Sequence, residues 1–446
     1  MVAVRPCRRS PPTEKTRLRT GKSTLGRTAQ LDGSHDRKRG ILVIVQNLPV
    51  PFDRRVWLEC QALTAAGYSV SVICPKGPQD PKEAVLDGVT LYKYRPYAAG
   101  TSKVTFVGEY LYSFAVTAWL TAKAWRRYRF DVLQACNPPD IFWPIALVLR
   151  RLAGVRFVFD QHDLCPELYE SRFDGGSRTL HRALLVLEWC TYQSAHHVIV
   201  TNDSYHQVAL NRGGRLDRDV TIVRTGPEPD RLHAGPPEPE LRRGRSHLVA
   251  YLGVMGPQDG VDLAVRAAEH IVHQLGRRDI SFKLMGSGDS FAQLVALRDE
   301  LGLADYVEFT GRVPDETVAR ILSTADVGLC PDPKNSLNDV STMNKTMEYM
   351  AFAVPIVAFD LRETRVSAGD AAVYARPNEV ADLARLVLEL IDDEPRRRSM
   401  GELGRARVVD SLAWAHQRGN YVGVYDSLTN RVPAVLEPLP PLAQGH

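Results

Sequence analysis

The sequence is poor in cysteine, and none of its cysteines is paired. The seven, Cys7, Cys60, Cys74, Cys136, Cys165, Cys190 and Cys330, are scattered through 446 residues with no CxxC among them. That excludes a disulfide framework and a cysteine-built zinc site, and predicts reduced, buried thiols in a cytoplasmic setting. Long apolar runs are missing too. The greasiest stretch, Val104–Trp125, is interrupted by Glu109, Thr117, Thr121 and Lys123. It falls short of the ~18 uncharged apolar residues of a membrane span and reads as an amphipathic helix. No apolar segment backs the charges at the N-terminus, which predicts no secretory signal. Two nucleotide-binding patterns are incomplete. Gly21-Lys22-Ser23-Thr24 has Thr16 where a phosphate loop has its first glycine. Gly286-Ser287-Gly288 has Phe291 where the dinucleotide fingerprint has its third. An NAD oxidoreductase is disfavoured on that ground.

Most of the chain also lacks positive charge. Residues 1–39 hold eleven Lys/Arg against Glu14, Asp32 and Asp36, a net +8, whereas the whole chain is +4. The remainder is therefore at −4, which argues against a nucleic-acid partner. The tail 1–39, rich in Arg, Thr, Ser, Gly and Pro, reads as disordered, and the proline-rich end 431–446 as loose.

What is present is a β/α rhythm. Ile41–Val45, bounded by Gly40 and Pro49, is a continuous apolar run of the kind that forms a buried parallel strand. A helix follows over Asp53–Ala66 with Val56, Cys60 and Leu63 on one face, then a strand at Ser69–Cys74. The pattern continues through Asp131–Ala135, a helix near Ile141–Leu152, Arg156–Phe159 and His197–Thr201. Gly226–Ser246, with five prolines, breaks it and reads as a linker. The rhythm restarts at Val249–Leu252 and runs through Val261–Leu275, Ser281–Met285, Phe291–Leu301, Val307–Phe309, Val327–Leu329 and Pro355–Phe359. The expected fold class is thus α/β, with two Rossmann-like doubly wound domains at 40–225 and 247–409, linker 226–246, and a C-terminal helix at 410–430. In such sheets ligands bind beyond the carboxyl ends of the strands.

Four segments sit at such ends. In Gln46–Arg55, Asp53, Arg54 and Arg55 stand at a helix N-terminus. Either the arginines face an anion there, or Asp53 is only a cap and they form a wet surface. In Asp160–Glu167, His162 could meet a sugar hydroxyl and Asp163 or Glu167 an acceptor; the plain alternative is a capped helix start with Pro166 in its first turn. One histidine on a turn is a weak metal signal, and no metal is expected. In Gly253–Gly260, Gly253 and Gly256 would let the backbone approach a ligand, or simply turn the chain. In Asn338–Ala351, Ser341 and Thr342 could cap a helix whose N–H groups face a diphosphate. Lys345 would add a point charge and Glu348 an acceptor for ribose hydroxyls, unless both are only the wet face of an amphipathic helix.

The segment from Asp339 to Glu348, followed by Tyr-Met-Ala-Phe-Ala-Val-Pro-Ile-Val-Ala, resembles the donor-binding motif of family 4 retaining glycosyltransferases, the group 1 type, which have the GT-B fold. Asp53-Arg54-Arg55-Val56, Ala66-Gly67-Tyr68, the His162 loop, the Gly253 loop, Gly286-Ser-Gly288, Phe309-Thr-Gly311 and the Trp414 helix fit the same family. The resemblance implies transfer of a hexosyl group from a UDP- or GDP-sugar to a glycan or lipid-linked acceptor, in polysaccharide or glycolipid assembly. It implies a cleft between the two domains and no cofactor beyond the donor. It implies that Glu348 binds ribose, that Asp339 is the sugar-facing acid, and that His162 contacts the donor sugar. Lys345 and the backbone of Ser341, Thr342 and Met343 would hold the phosphates.

There are two departures. The family's usual spacing would put the first acid at Val340, one residue after Asp339. The family's Arg and Lys in the glycine loop correspond to Val254 and Asp259. The leaving diphosphate must then be stabilised by Lys345, the helix N-terminus, or Arg54, Arg55 or Arg312. Two other readings remain: a GT-B-like nucleotide-sugar epimerase, and a non-catalytic nucleotide-sugar-binding protein. Pro75–Lys103 and Leu164–Thr179 are the expected acceptor loops. Phe106–Trp125, followed by Arg126, Arg127 and Arg129, is either a core helix or a peripheral contact with the inner face of a membrane.

Overall fold

A computed structural model describes residues 38–97, 103–173, 176–229 and 234–432. The basic tail up to residue 37, the Gly21–Thr24 motif within it and the end from 433 lie outside these residues. The short apolar runs become strands because both their faces are covered, and the interior strands are almost continuously buried. The first sheet holds β1 (Gly40–Ile44), β2 (Ser69–Pro75), β3 (Glu83–Leu86), β4 (Val89–Tyr94), β5 (Val132–Cys136), β6 (Arg156–Gln161), β7 (His197–Val200) and β8 (Val220–Ile222). Their order is β3-β4-β2-β1-β5-β6-β7-β8, parallel except for the β3–β4 pair. The second sheet holds β9 (His247–Leu252), β10 (Ile280–Met285), β11 (Val307–Gly311), β12 (Val327–Cys330), β13 (Ile356–Phe359) and β14 (Ala372–Ala375). It is parallel, in the order β11-β10-β9-β12-β13-β14.

Strand order reverses between β1 and β5 in the first sheet and between β9 and β12 in the second. These switch points leave crevices beyond the strands' carboxyl ends. The four candidate segments follow β1, β6, β9 and β12, so each reaches a crevice. The expected acceptor loop Pro75–Lys103 needs correction. Its residues 83–94 are strands of the first sheet, with β4 paired to β2. Residues 76–82 and 95–97 are left outside strands, and 98–102 lie outside the described residues.

The proline-rich segment between the sheets is packed where it begins. A Cβ on Gly226 would lie 2.1 Å from Leu412 O, and Trp414 N donates to Pro227 O. The C-terminal helix Trp414–Thr429 therefore returns to the first sheet. Trp414, Tyr421, Val422, Val424 and Tyr425 are buried with Val43, Val56 and Cys60 in one core. The helix Lys103–Arg127 buries Leu120 and Ala124 while Leu111 and Trp119 remain exposed. No helix among the described residues is long and apolar enough to cross a membrane.

Candidate functional site

Asp53 is the N-cap of the first helix, Arg54–Ala65, and its side chain accepts from Val56 N. One residue on, the two arginines part. Arg54 points outward, its side chain 43% exposed. Its Nη1 bonds Glu348 at 3.0 Å, and its Nη2 pairs with Asp315 at the start of another second-sheet helix.

Arg55 turns inward, its side chain only 7% exposed, which removes it as a surface anion contact. Its Nη2 donates to Asp160 Oδ1 at 3.0 Å and its Nη1 to Val223 O and Thr225. Its Nε lies 3.0 Å from Glu59 Oε1. A helix pitch places Glu59 over Arg55, and β6 delivers Asp160 between them.

His162 stands just past β6. Its Nε2 is 2.8 Å from Asp160 Oδ2 and 3.1 Å from Arg55 Nε. One nitrogen cannot both donate and accept, and the carboxylate is the stronger partner. We therefore assign the proton to Nε2, donated to Asp160. That leaves Nδ1 for a ligand. Burial alone would lower the imidazole pKa, but Asp160 raises it above its ordinary value. The carboxyl of Asp160 is held below its usual range by His162 and Arg55, against burial. Glu59 is pushed up by burial and by Asp160. Glu59, Cys136, Asp160 and His162 offer ligand atoms within 4.8 Å of one another. A metal there would have to displace the guanidinium of Arg55, already bound to two of the four.

On the second sheet, the helix Asn344–Ala351 begins with Met343 as N-cap, and no side chain caps it. Ser341 and Thr342 are thus not the expected caps. They sit before the helix and turn toward the first sheet: Ser341 Oγ is 2.9 Å from the Tyr205 hydroxyl, and Thr342 Oγ1 accepts from Asn202 Nδ2. Lys345 is not a free point charge. It is buried, its Nζ 2.5 Å from Asp332 Oδ1 and 5.3 Å from the centre of the Tyr251 ring. Burial would lower its pKa; Asp332 overcomes this and raises it. Asp339 caps elsewhere, accepting from Arg362 N and facing Lys334.

The glycine loop is shaped by close approach. A Cβ on Gly286 would lie 1.8 Å from Gly253 O, and Gly286 has φ +137°. A Cβ on Gly253 would press on Lys345 and Tyr251. Gly256 N donates to Asp259, whose carboxyl is raised by burial to about 6 and drawn back in part by Lys345. Arg312 lies 3.7 Å over the Phe52 ring; burial and the charge of Arg54 lower its pKa. Asp163 meets Asn137 through its backbone alone, its N–H donating to Asn137 Oδ1 and its carbonyl oxygen accepting from Asn137 Nδ2, and burial raises its carboxyl. Glu167 is spent on Arg212.

The two halves meet. Helix Cys165–Arg172, continuing from the His162 loop, touches the turn Pro257–Asp259, and Arg172 pairs with Asp289 at 2.7 Å. Asn202 and Tyr205 hold the segment before the Lys345 helix, and Arg54 holds Glu348. Sequence reasoning placed Asp160 in the His162 segment without a role and missed Asp332, Glu59 and Gln134. Asp332 had one usable signal: it lies two residues past a strand, between two prolines.

Comparison with known proteins agrees with this architecture. Residues 246–393 match the family model described as glycosyl transferases group 1, and residues 53–226 match the glycosyl transferase 4-like domain. A 2-deoxystreptamine glucosyltransferase of Streptomyces kanamyceticus is 24% identical over 70% of this chain and 83% of its own. A sucrose-phosphate synthase from Thermosynechococcus elongatus superposes with a TM-score of 0.70 at 17% identity, over 88% of this chain and all of that one. HepE of Anabaena, in complex with UDP-glucose, does so with a TM-score of 0.65 at 14% identity, over 87% of this chain and 99% of that one.

Proposed function

Since the chain belongs to the group 1, family 4 glycosyltransferases of GT-B fold, we propose that it moves a hexosyl group from a UDP- or GDP-sugar to an acceptor hydroxyl with retention of configuration. The observation that carries this reading is the convergence of Glu348, Lys345, Arg54 and Arg312 at the second switch point, opposite the His162 loop of the first. Glu348 accepts from the ribose hydroxyls. Lys345 and the N–H groups that open its helix face the diphosphate. The family's Arg/Lys pair is replaced here by Val254 and Asp259. Arg54, whose guanidinium already reaches Glu348, and Arg312 beside it supply the missing charge. His162 Nδ1 meets the donor sugar, and Asp339 its far side. Leaving-group stabilisation by fixed cations lets the acceptor attack on the face the diphosphate vacates.

The acceptor is a glycan or a lipid-linked saccharide. Support for the lipid-linked form is the exposed Leu111 and Trp119 on a helix that ends in Arg126 and Arg127, a pairing suited to an anionic bilayer. Flotation with phosphatidylglycerol vesicles tests it: no enrichment of the protein sinks the membrane contact.

The donor reading is tested by thermal shift with UDP, GDP, ADP and their hexose conjugates. Ligand at about 100 times its Kd stabilises by ~2.7 kcal/mol. A rise in Tm with one nucleotide, lost in Glu348→Ala and in Lys345→Ala, is the expected result. A full shift retained in both variants removes the proposed donor site.

A further inference from the structure

Gln134 is fully buried in β5, flanked by β1 and β6. A buried amide needs partners for both its ends. Its Oε1 accepts from the Tyr421 hydroxyl at 2.7 Å and from the Tyr425 hydroxyl. Its Nε2 donates to Asp160 Oδ2 and Glu59 Oε2, each at 2.9 Å. Two hydroxyl donors on one side and two carboxylates on the other allow only one orientation of the amide. The oxygen of Asp160 that takes the amide is the same one that takes His162 Nε2 at 2.8 Å. The other oxygen of Asp160 is held by Arg55.

We infer that Tyr421 and Tyr425, on the C-terminal helix, are positioning residues for His162 and act on it through Gln134 and Asp160. The two hydroxyls hold the amide, the amide and Arg55 hold the carboxylate, and the carboxylate fixes the tautomer and plane of the ring, with Nδ1 turned to the cleft. The C-terminal helix arrives from the second sheet and docks on the first. A side chain of the donor site is therefore set in part by a segment more than 250 residues away in sequence. The charged groups around the ring are Arg55 and Glu59 from the first helix, Asp160 from β6 and Asp163 just beyond, with the Cys136 thiol from β5. Why a buried Gln, Glu and Tyr pair should sit in one core is then explained: apolar side chains would fill the space but take from Asp160 Oδ2 the amide donor that helps set it.

The inference rests on the reading that His162 touches the donor, so the test needs a readout independent of activity. The titration of His162, assigned by its loss in His162→Gln, is followed by NMR on the full chain with labelled histidine. Asp160→Asn removes the anion beside the ring, and the midpoint should fall by more than about one unit. In Tyr421→Phe/Tyr425→Phe the amide loses its anchor, Asp160 loses a donor, and the midpoint should rise by about half a unit. Tyr425→Phe alone should give a smaller rise and serves if the double variant does not fold. A midpoint and tautomer unchanged in the folded tyrosine variants overturns the inference. If the midpoint moves and the pH profile of kcat/KM moves with it, both the positioning and the donor-site readings stand. A moved midpoint with an unmoved pH profile keeps the positioning and removes His162 from the donor site.

Discussion

Arg54 and Arg55 are neighbours in sequence and belong to different kinds of region. Arg55 lies in a closed network in which every charge has a fixed partner and water is excluded. Arg54 lies at the mouth of the proposed donor site, where Glu348 and Asp315 hold it at the surface. The first region is buried and internally partnered, and the second is held by exposed pairs that a ligand would have to replace. Buried, hydrogen-bonded charges orient a group; exposed pairs are weak enough to be exchanged. On the proposed reading, His162 is oriented in advance, and the cations of the donor site stay countered until a diphosphate takes the place of their carboxylates.

The sharpest way to break the comparison is to remove Arg55. Arg55→Ala leaves Asp160 and Glu59, both fully buried, without their cation. Loss of one partner of a buried pair costs about 3–5 kcal/mol. We expect a loss of that size in urea unfolding, far above that of Arg54→Ala. Equal losses in the two variants would mean that the network is not the internally partnered element it is taken to be.

Asp259 offers an intermediate effect, because it lies between the two regions in character. It is half-buried, where Asp160 is fully buried, and it feels the charge of Lys345 in the proposed donor site. Its carboxyl, raised to about 6, is neutral in mild acid and charged at neutral pH. Donor affinity should therefore fall as pH rises through about 6. Asp259→Asn should remove that fall and tighten binding at pH 7.5 about fivefold, or ~1 kcal/mol. Calorimetry with a UDP- or GDP-hexose checks this, since a diphosphate diester does not itself titrate there. The same group predicts a stability slope. A carboxyl raised by folding contributes fully below the ordinary carboxylate range and loses that contribution as pH climbs toward 6 and beyond. The variant should be flatter over that window. An unchanged pH dependence of binding would place Asp259 away from the diphosphate.

The two regions also differ in how far the sequence announced them. The β/α rhythm was legible because interior strands such as Val132–Cys136 and Ile280–Met285 are short unbroken apolar runs. The edge strand Glu83–Leu86 was not, since Glu83, Val85 and Leu86 are exposed and carry no such pattern. At the site, Lys345, Glu348 and His162 could be picked out because each follows a strand within one local motif. The buried network could not. Gln134 meets Tyr421 across 287 residues of sequence, and a lone glutamine in an apolar strand gives no hint of its partner. Arg55 could be read only as an equal of Arg54, because a doublet of arginines does not say which one the helix turns inward.

The smallest effect is the most discriminating for the donor site. Arg54 bonds Glu348, and the same carboxylate is the one proposed to bind ribose. A nucleoside alone must break this pair and gains nothing from the guanidinium it releases. A nucleoside diphosphate breaks the same pair but gives the freed guanidinium a stronger anion. Arg54→Ala should therefore push the two ligands in opposite directions: uridine or guanosine binds slightly tighter, and the matching diphosphate binds more weakly. An exposed pair is worth at most about 1 kcal/mol, so the nucleoside gain should stay below about fivefold. Parallel weakening of both ligands would make Arg54 part of the ribose contact rather than its competitor. Parallel tightening would leave the diphosphate to Lys345 and Arg312, and the arginine at the mouth of the site would then be only a clasp between the two domains.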